Sequence, residues 1–132
     1  MAALERRFRE SGLTTELRYG DAADPIAAVL ALTDQHSNRV DFLVGIRGLD
    51  PGAFSRAVEV PFHGQKLRII GLEDFVAMKL FAHGPQDLAD ASAALESAGE
   101  QVDVALLRKL AARFGPETSR SLDILLRDAD PR

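Results

Sequence analysis

Residues 71–90, GLEDFVAMKLFAHGPQDLAD, decide the fold. Glu73 to about His83 reads as one helix, ended by Gly84-Pro85 because proline cannot continue a helix but suits the first turn of the next. Gln86 to Ala98 reads as a second helix, with Leu88, Ala91 and Leu95 at core spacing and Gly99 as its stop. Helices joined by so short a turn pack side by side. Asp87 and Asp90 stand three apart and share a helix face. Lys79 lies on the preceding helix, so the lysine and both acids are expected to meet. That trio has two readings. One is an interhelical ion pair on a solvated surface, contributing about 0.5 kcal/mol. The other is a lysine that holds a phosphate, with carboxylates keeping it in place. Glu73-Asp74 reads as a pair of first-turn acids suited to the positive end of the helix macrodipole.

Downstream of this segment the pattern stays helical. Asp103 to Phe114 carries the stripe Val104, Leu107, Ala111 and Phe114. Gly115-Pro116 closes that helix and opens another, which runs to about Arg127 with Leu122, Leu125 and Leu126 inward. Residues 128–132 are expected to fray.

Upstream, the periodicity changes. Residues 2–11 form a short helix with Leu4 and Phe8, stopped at Gly12. Thr14 to Tyr19 is a strand, Gly20 to Pro25 a loop, and the apolar run Ile26 to Leu32 a buried strand. Thr33 to Asn38 is a polar turn, and Arg39 to Ile46 the clearest strand of all, so the two runs form an antiparallel hairpin. A loop or helical turn covers Gly48 to Phe54, with Asp50-Pro51 as cap and first-turn pair. Val58–Pro61 and Lys66–Ile70 then form a second hairpin around His63-Gly64. Strands first and helices afterwards imply an α+β domain. The expectation is a small mixed sheet followed by a C-terminal helical part lying over one face. Residues 1–70 are mainly strands with one leading helix and 71–127 are helical, in a single domain covering 1–132.

Asp41 is the unusual residue of the strand half. Val40, Phe42, Val44 and Ile46 alternate with Asp41, Leu43 and Gly45, so both faces are largely apolar and the strand is expected to be central. A carboxylate there needs a partner. Alternatively, Asp41 lies near a strand end, facing solvent or an arginine such as Arg39.

Composition narrows the function classes. With 132 residues, 46% hydrophobic and 27% charged, the chain is an ordinary globular one. A net charge of -4 supplies no global basic field for nucleic acid. The absence of cysteine excludes disulfides, thiolate metal sites and cysteine nucleophiles. The charged start MAALERRFRE and the lack of a long apolar run lead us to expect a cytoplasmic protein without a membrane anchor. His36, His63 and His83 fall in turns or at a helix end, without metal-ligand spacing. No serine-nucleophile elbow, phosphate loop or dinucleotide fingerprint is present. Arg108, Lys109, Arg113 and Arg120 read as solvated helix faces.

The order of these pieces resembles the nucleotidyltransferase-fold proteins related to abortive-infection and toxin–antitoxin systems. Val40-Asp41-Phe42, then the strand Lys66–Ile70, then Leu72-Glu73-Asp74-Phe75-Val76-Ala77-Met78-Lys79-Leu80, a turn, and Gln86-Asp87-Leu88-Ala89-Asp90 follow that family's later part. Its signature is an E-D-L-I-x-x-K-L helix, an arginine-containing turn and a K-D-x-x-D helix start. The likeness runs from about Leu4 to Phe114. It implies that Asp41 corresponds to the third carboxylate beside a metal-binding pair, that Lys79 contacts a nucleoside triphosphate, and that Asp87 and Asp90 are the acids of the following helix. Magnesium, a nucleoside triphosphate substrate, an RNA or protein acceptor and a cognate antitoxin are implied with it.

Two departures set limits. The family's Gly-Ser motif and the Asp-x-Asp strand after it do not occur in this sequence, and the turn reads His83-Gly84-Pro85-Gln86 where arginine and lysine are usual. The metal-binding pair is therefore missing. The chain is expected to be an N-terminally incomplete transferase, a degenerate binding module, or a partner of a polypeptide that supplies the missing strand. As an incomplete sheet it is also expected to self-associate.

Overall fold

The computed structural model describes residues 1–129. They form two compact units, Met1–Arg47 and a second that begins at Gly48. The first contains helix α1 (Ala2–Glu10) and strands β1 (Thr14–Tyr19), β2 (Ile26–Thr33) and β3 (Arg39–Ile46). The second contains a short helix α2 (Ala53–Arg56), strands β4 (Val58–Phe62) and β5 (Gln65–Ile69), and helices α3 (Leu72–Ala82), α4 (Pro85–Ala98), α5 (Val104–Phe114) and α6 (Pro116–Ala129). A short 3-10 turn, Gly99–Gln101, follows α4. No described helix is long and apolar enough to cross a membrane.

In the first unit β1, β2 and β3 make an antiparallel sheet in that order. The connections are hairpin loops, too short for the crossover that a parallel pair needs. Asp34 shapes the second of them: its carboxylate accepts from the His36 and Asn38 amides at 2.8 and 2.9 Å. These bonds, with the Asn38 side chain foremost, hold its pKa below the usual carboxylate value. Register places Leu17, Leu30 and Phe42 in one row and Glu16, Ala31 and Asp41 in the next, on the opposite face. Phe8 of α1 meets Phe42 at 5.5 Å between ring centroids, so α1 packs on the apolar face. Ala28, Leu30 and Leu32 on the same face are buried.

Two expectations are corrected here. The strand carrying Asp41 is not central: β2 is, and β3 forms an edge whose residues from Arg39 to Gly45 are all exposed. Periodicity in one strand reports which side chains are apolar, not how many neighbours the strand has. Nor is there one mixed sheet. Both sheets are antiparallel, and β4 and β5 pair only with each other among the described residues. His63 (φ 46°) and Gly64 (φ 76°) take left-handed conformations in their tight turn, as a two-residue hairpin loop requires. The hairpin's Val58, Phe62, Leu67 and Ile69 are exposed.

The helical part follows its expected boundaries within a residue or two. Helix α3 is apolar on several sides because α4, α5 and α6 all pack on it. Val76, Ala77 and Leu80 of α3 form the core with Ala91 and Leu95 of α4, Leu107, Leu110 and Ala111 of α5, and Leu122 of α6. Phe81 and Phe114 stack at 4.7 Å. Asp103 caps α5 by accepting the Leu106 amide at 2.9 Å, and Glu73 accepts the amide of Asp103 at 2.9 Å. Glu73 thus ties the start of α3 to the start of α5, beyond its expected dipole role. Helix α6 continues through Ala129, where fraying was expected from residue 128; residues 130–132 lie outside the described part.

Candidate functional site

The turn between α3 and α4 brings three of the four sequence-derived site residues together. His83 closes α3 in the left-handed region (φ 58°), its amide donating back to the Lys79 carbonyl. Pro85 opens α4 as its first residue, and Asp87 folds back to accept the Gly84 amide at 3.3 Å. The helices therefore run side by side, and the Lys79 Nζ donates to Asp87 at 2.9 Å and to Asp90 at 2.8 Å. Gln86 donates to the second oxygen of Asp90 at 2.7 Å, and the ammonium lies 5.6 Å from the Phe75 ring centre. All three charged side chains are about two-thirds buried.

The electrostatics follow from this geometry. Donating to Asp90, then to Asp87, raises the Lys79 pKa above its ordinary 10.5. Lys79, then Gln86, hold Asp90 below its ordinary 3.8. A raised ammonium pKa stabilises the fold fully below the ordinary value, and this is lost as pH rises through the raised one. A lowered carboxylate pKa stabilises it above the ordinary value, and this is lost as pH falls through the lowered one. The stability difference between wild type and Asp90→Asn should therefore stay flat from about pH 5 to 9 and shrink on acidification below about pH 4. Denaturant titrations at stepped pH would measure it; a difference that grows toward acid would contradict the ion pair.

Asp41 belongs to the first unit. It points from the face opposite α1, and Arg39 donates to it at 2.8 Å with both side chains about half exposed. Asp41, then Glu16, keep the Arg39 pKa raised. A shallow hollow of about 500 Å³ beside Asp41 is lined by Arg18, Asp24, Val29, Arg39 and Leu43. As a magnesium site this donor set does not fit. Its two carboxylates are already engaged, Asp41 by Arg39 and Asp24 by the Asp21 amide, and no three His, Asp or Glu side chains converge on a metal position among the described residues.

A second charged cluster was not expected from the sequence. Asp74, read as a first-turn acid, is only 2% exposed. Arg56 grips it with two hydrogen bonds of 2.7 and 2.8 Å and also donates to Asp50 at 2.8 Å. Arg113 approaches Asp50 at 3.5 Å. Asp74, then Asp50, raise the Arg56 pKa, and Arg56 lowers that of Asp50. Gly52 leaves room for this: a Cβ there would come within 2.5 Å of the Arg56 guanidinium and 2.6 Å of Asp50. The signal was in the spacing, since Asp74 precedes Ala77 by three and so lies on α3's inward side.

The histidines keep to turns and ends. His36 adjoins Gln35, His63 packs edge-on against Phe62, and His83 Nδ1 lies 3.4 Å from the Ser121 hydroxyl. No family model matches the chain, and no curated protein matches it.

Proposed function

We propose that this chain is a cytoplasmic nucleotidyltransferase-like domain of the toxin–antitoxin kind that acts as a binding or regulatory module, not as a free-standing transferase. The observation that carries the reading is the clamp on Lys79. Its place on α3, the tight turn and the two acids of α4 follow the helical signature that the sequence resembles. The clamp also argues against triphosphate binding. A lysine that is to meet a triphosphate needs donors and positive charge to spare. Here two carboxylates take two of its three N–H groups, and the trio carries a net charge of about −1, which repels a polyanion. Asp41 adds one carboxylate engaged by Arg39, so no chemical step is assigned to a metal. A small cognate antitoxin is the partner class this reading favours; the acidic net charge gives no support to an RNA acceptor.

Incubation with labelled nucleoside triphosphates, magnesium and total tRNA should yield no labelled RNA or protein. A labelled product that Asp41→Ala abolishes would overturn the reading. Calorimetry should likewise detect no triphosphate binding to the wild type. The double variant Asp87→Asn with Asp90→Asn, which frees the ammonium, should bind more tightly than wild type.

A further inference from the structure

We propose that β3 is the contact between two copies of this chain, paired antiparallel about a two-fold axis at Phe42. This inference rests on the first unit alone and does not depend on the function proposed above. Among the described residues β3 has a strand partner on one side only, and its outer edge carries unpaired backbone donors and acceptors. Natural edge strands are usually protected by charge, proline or brevity. Here Val40, Phe42, Leu43 and Val44 are all exposed along that edge.

The occupant follows from symmetry and charge. A two-fold interface must be self-complementary. If the sheet is to stay continuous, paired residues must point to the same face, so the numbers of each opposing pair must sum to an even value. A register centred on Asp41 sets two carboxylates directly opposite each other, and one centred on Leu43 sets Arg39 opposite the copy's Arg47; both are disfavoured. Centring on Phe42 avoids both and overlaps residues 39–45 of the two strands, where centring on Val40 or Val44 would overlap only 39–41 or 42–46. It places Phe42 against Phe42 of the second copy and Val40 against Val44, because Val-x-Phe-x-Val reads the same in either direction. On the other face Asp41 meets Leu43 of the copy and keeps its own Arg39 as counter-charge, so no unpaired charge is buried. Five residues, Val40 to Val44, make the contact, against about 20–30 a side in a standard-size interface. The dimer is accordingly weak and forms as concentration rises.

The chain has no cysteine, so single introduced thiols report the register without background. Directly opposed strand residues have Cα atoms about 4.5–5.5 Å apart, within disulfide range. Under mild oxidation, Phe42→Cys should form a covalent dimer at least about tenfold faster than Val40→Cys or Val44→Cys alone. Mixing Val40→Cys with Val44→Cys should give mainly the crossed dimer, which keeps the test decisive if Phe42→Cys folds poorly. Light scattering of the wild type at about 0.2 mM should show dimer, and Phe42→Lys, which opposes two ammonium groups, should remove it. A wild type monomeric at that concentration, or equal crosslinking at positions 40, 42 and 44, would overturn the proposal; the edge would then be left to a different chain.

Discussion

Arg56→Ala should lower the stability of the second unit by about 3 kcal/mol, the magnitude seen when one member of a buried ion pair is removed. In a unit of this size that is a fall in melting temperature of about 10–20 °C. The cause is what the substitution leaves behind. Asp74 is almost wholly buried, and its two hydrogen bonds from Arg56 would be replaced by nothing. Asp50 would lose its closest cation as well, since Arg113 stands farther off at 3.5 Å. The penalty is therefore that of a stranded carboxylate, not that of a missing surface contact. A double variant separates these possibilities: adding Asp74→Ala to Arg56→Ala removes the stranded charge and should restore part of the loss. Urea unfolding of the two variants would measure both effects. A loss below about 1 kcal/mol for Arg56→Ala would mean that water reaches Asp74 and that the cluster behaves as a surface pair.

Particular residues show how much of this was legible beforehand. The helix-turn-helix could be read because its signals are local: Gly84-Pro85 admits few backbone paths, and the three-residue spacing of Asp87 and Asp90 fixes their common face. The meeting with Lys79 follows from those two facts. The expected central place of β3 failed for a physical reason. Val40, Phe42 and Val44 record that one face is apolar, and an apolar Leu43 on the other face does not imply a second neighbouring strand. Edge or centre is decided by pairing between distant segments, which no local pattern contains. Arg56 was missed for the same reason. It ends the short helix α2, and its two acids are separated from it by 6 and 18 residues. Only the inward position of Asp74 on α3 announced that a cation had to arrive from elsewhere.

Leu107→Ala should cost about 3 kcal/mol or more, with Val104→Ala, three residues earlier on the same helix, costing under about 0.5 kcal/mol. The sequence places both in one stripe, yet Leu107 is fully buried while Val104 is 41% exposed. Helix α5 is turned so that Leu107, Leu110 and Ala111 face α3 and α6. Around Leu107 the other core side chains stand on helices that also pack against one another, so the neighbours have little freedom to collapse into the space left by alanine. Removing buried methylenes without such relaxation adds a cavity cost to the lost transfer energy. The effect should extend to Lys79, which Leu107 need not touch. Helix α3 carries Lys79 on one side and rests on α5 by another, so loosening that support lets α3 shift against α4. Amide exchange should accelerate along α3 as well as α5 in Leu107→Ala. The shielding of the Lys79 ammonium, read by NMR, should fall in parallel. Faster exchange confined to α5, with Lys79 unchanged, would show that α4 alone holds the lysine and that the core of the second unit does not position the site.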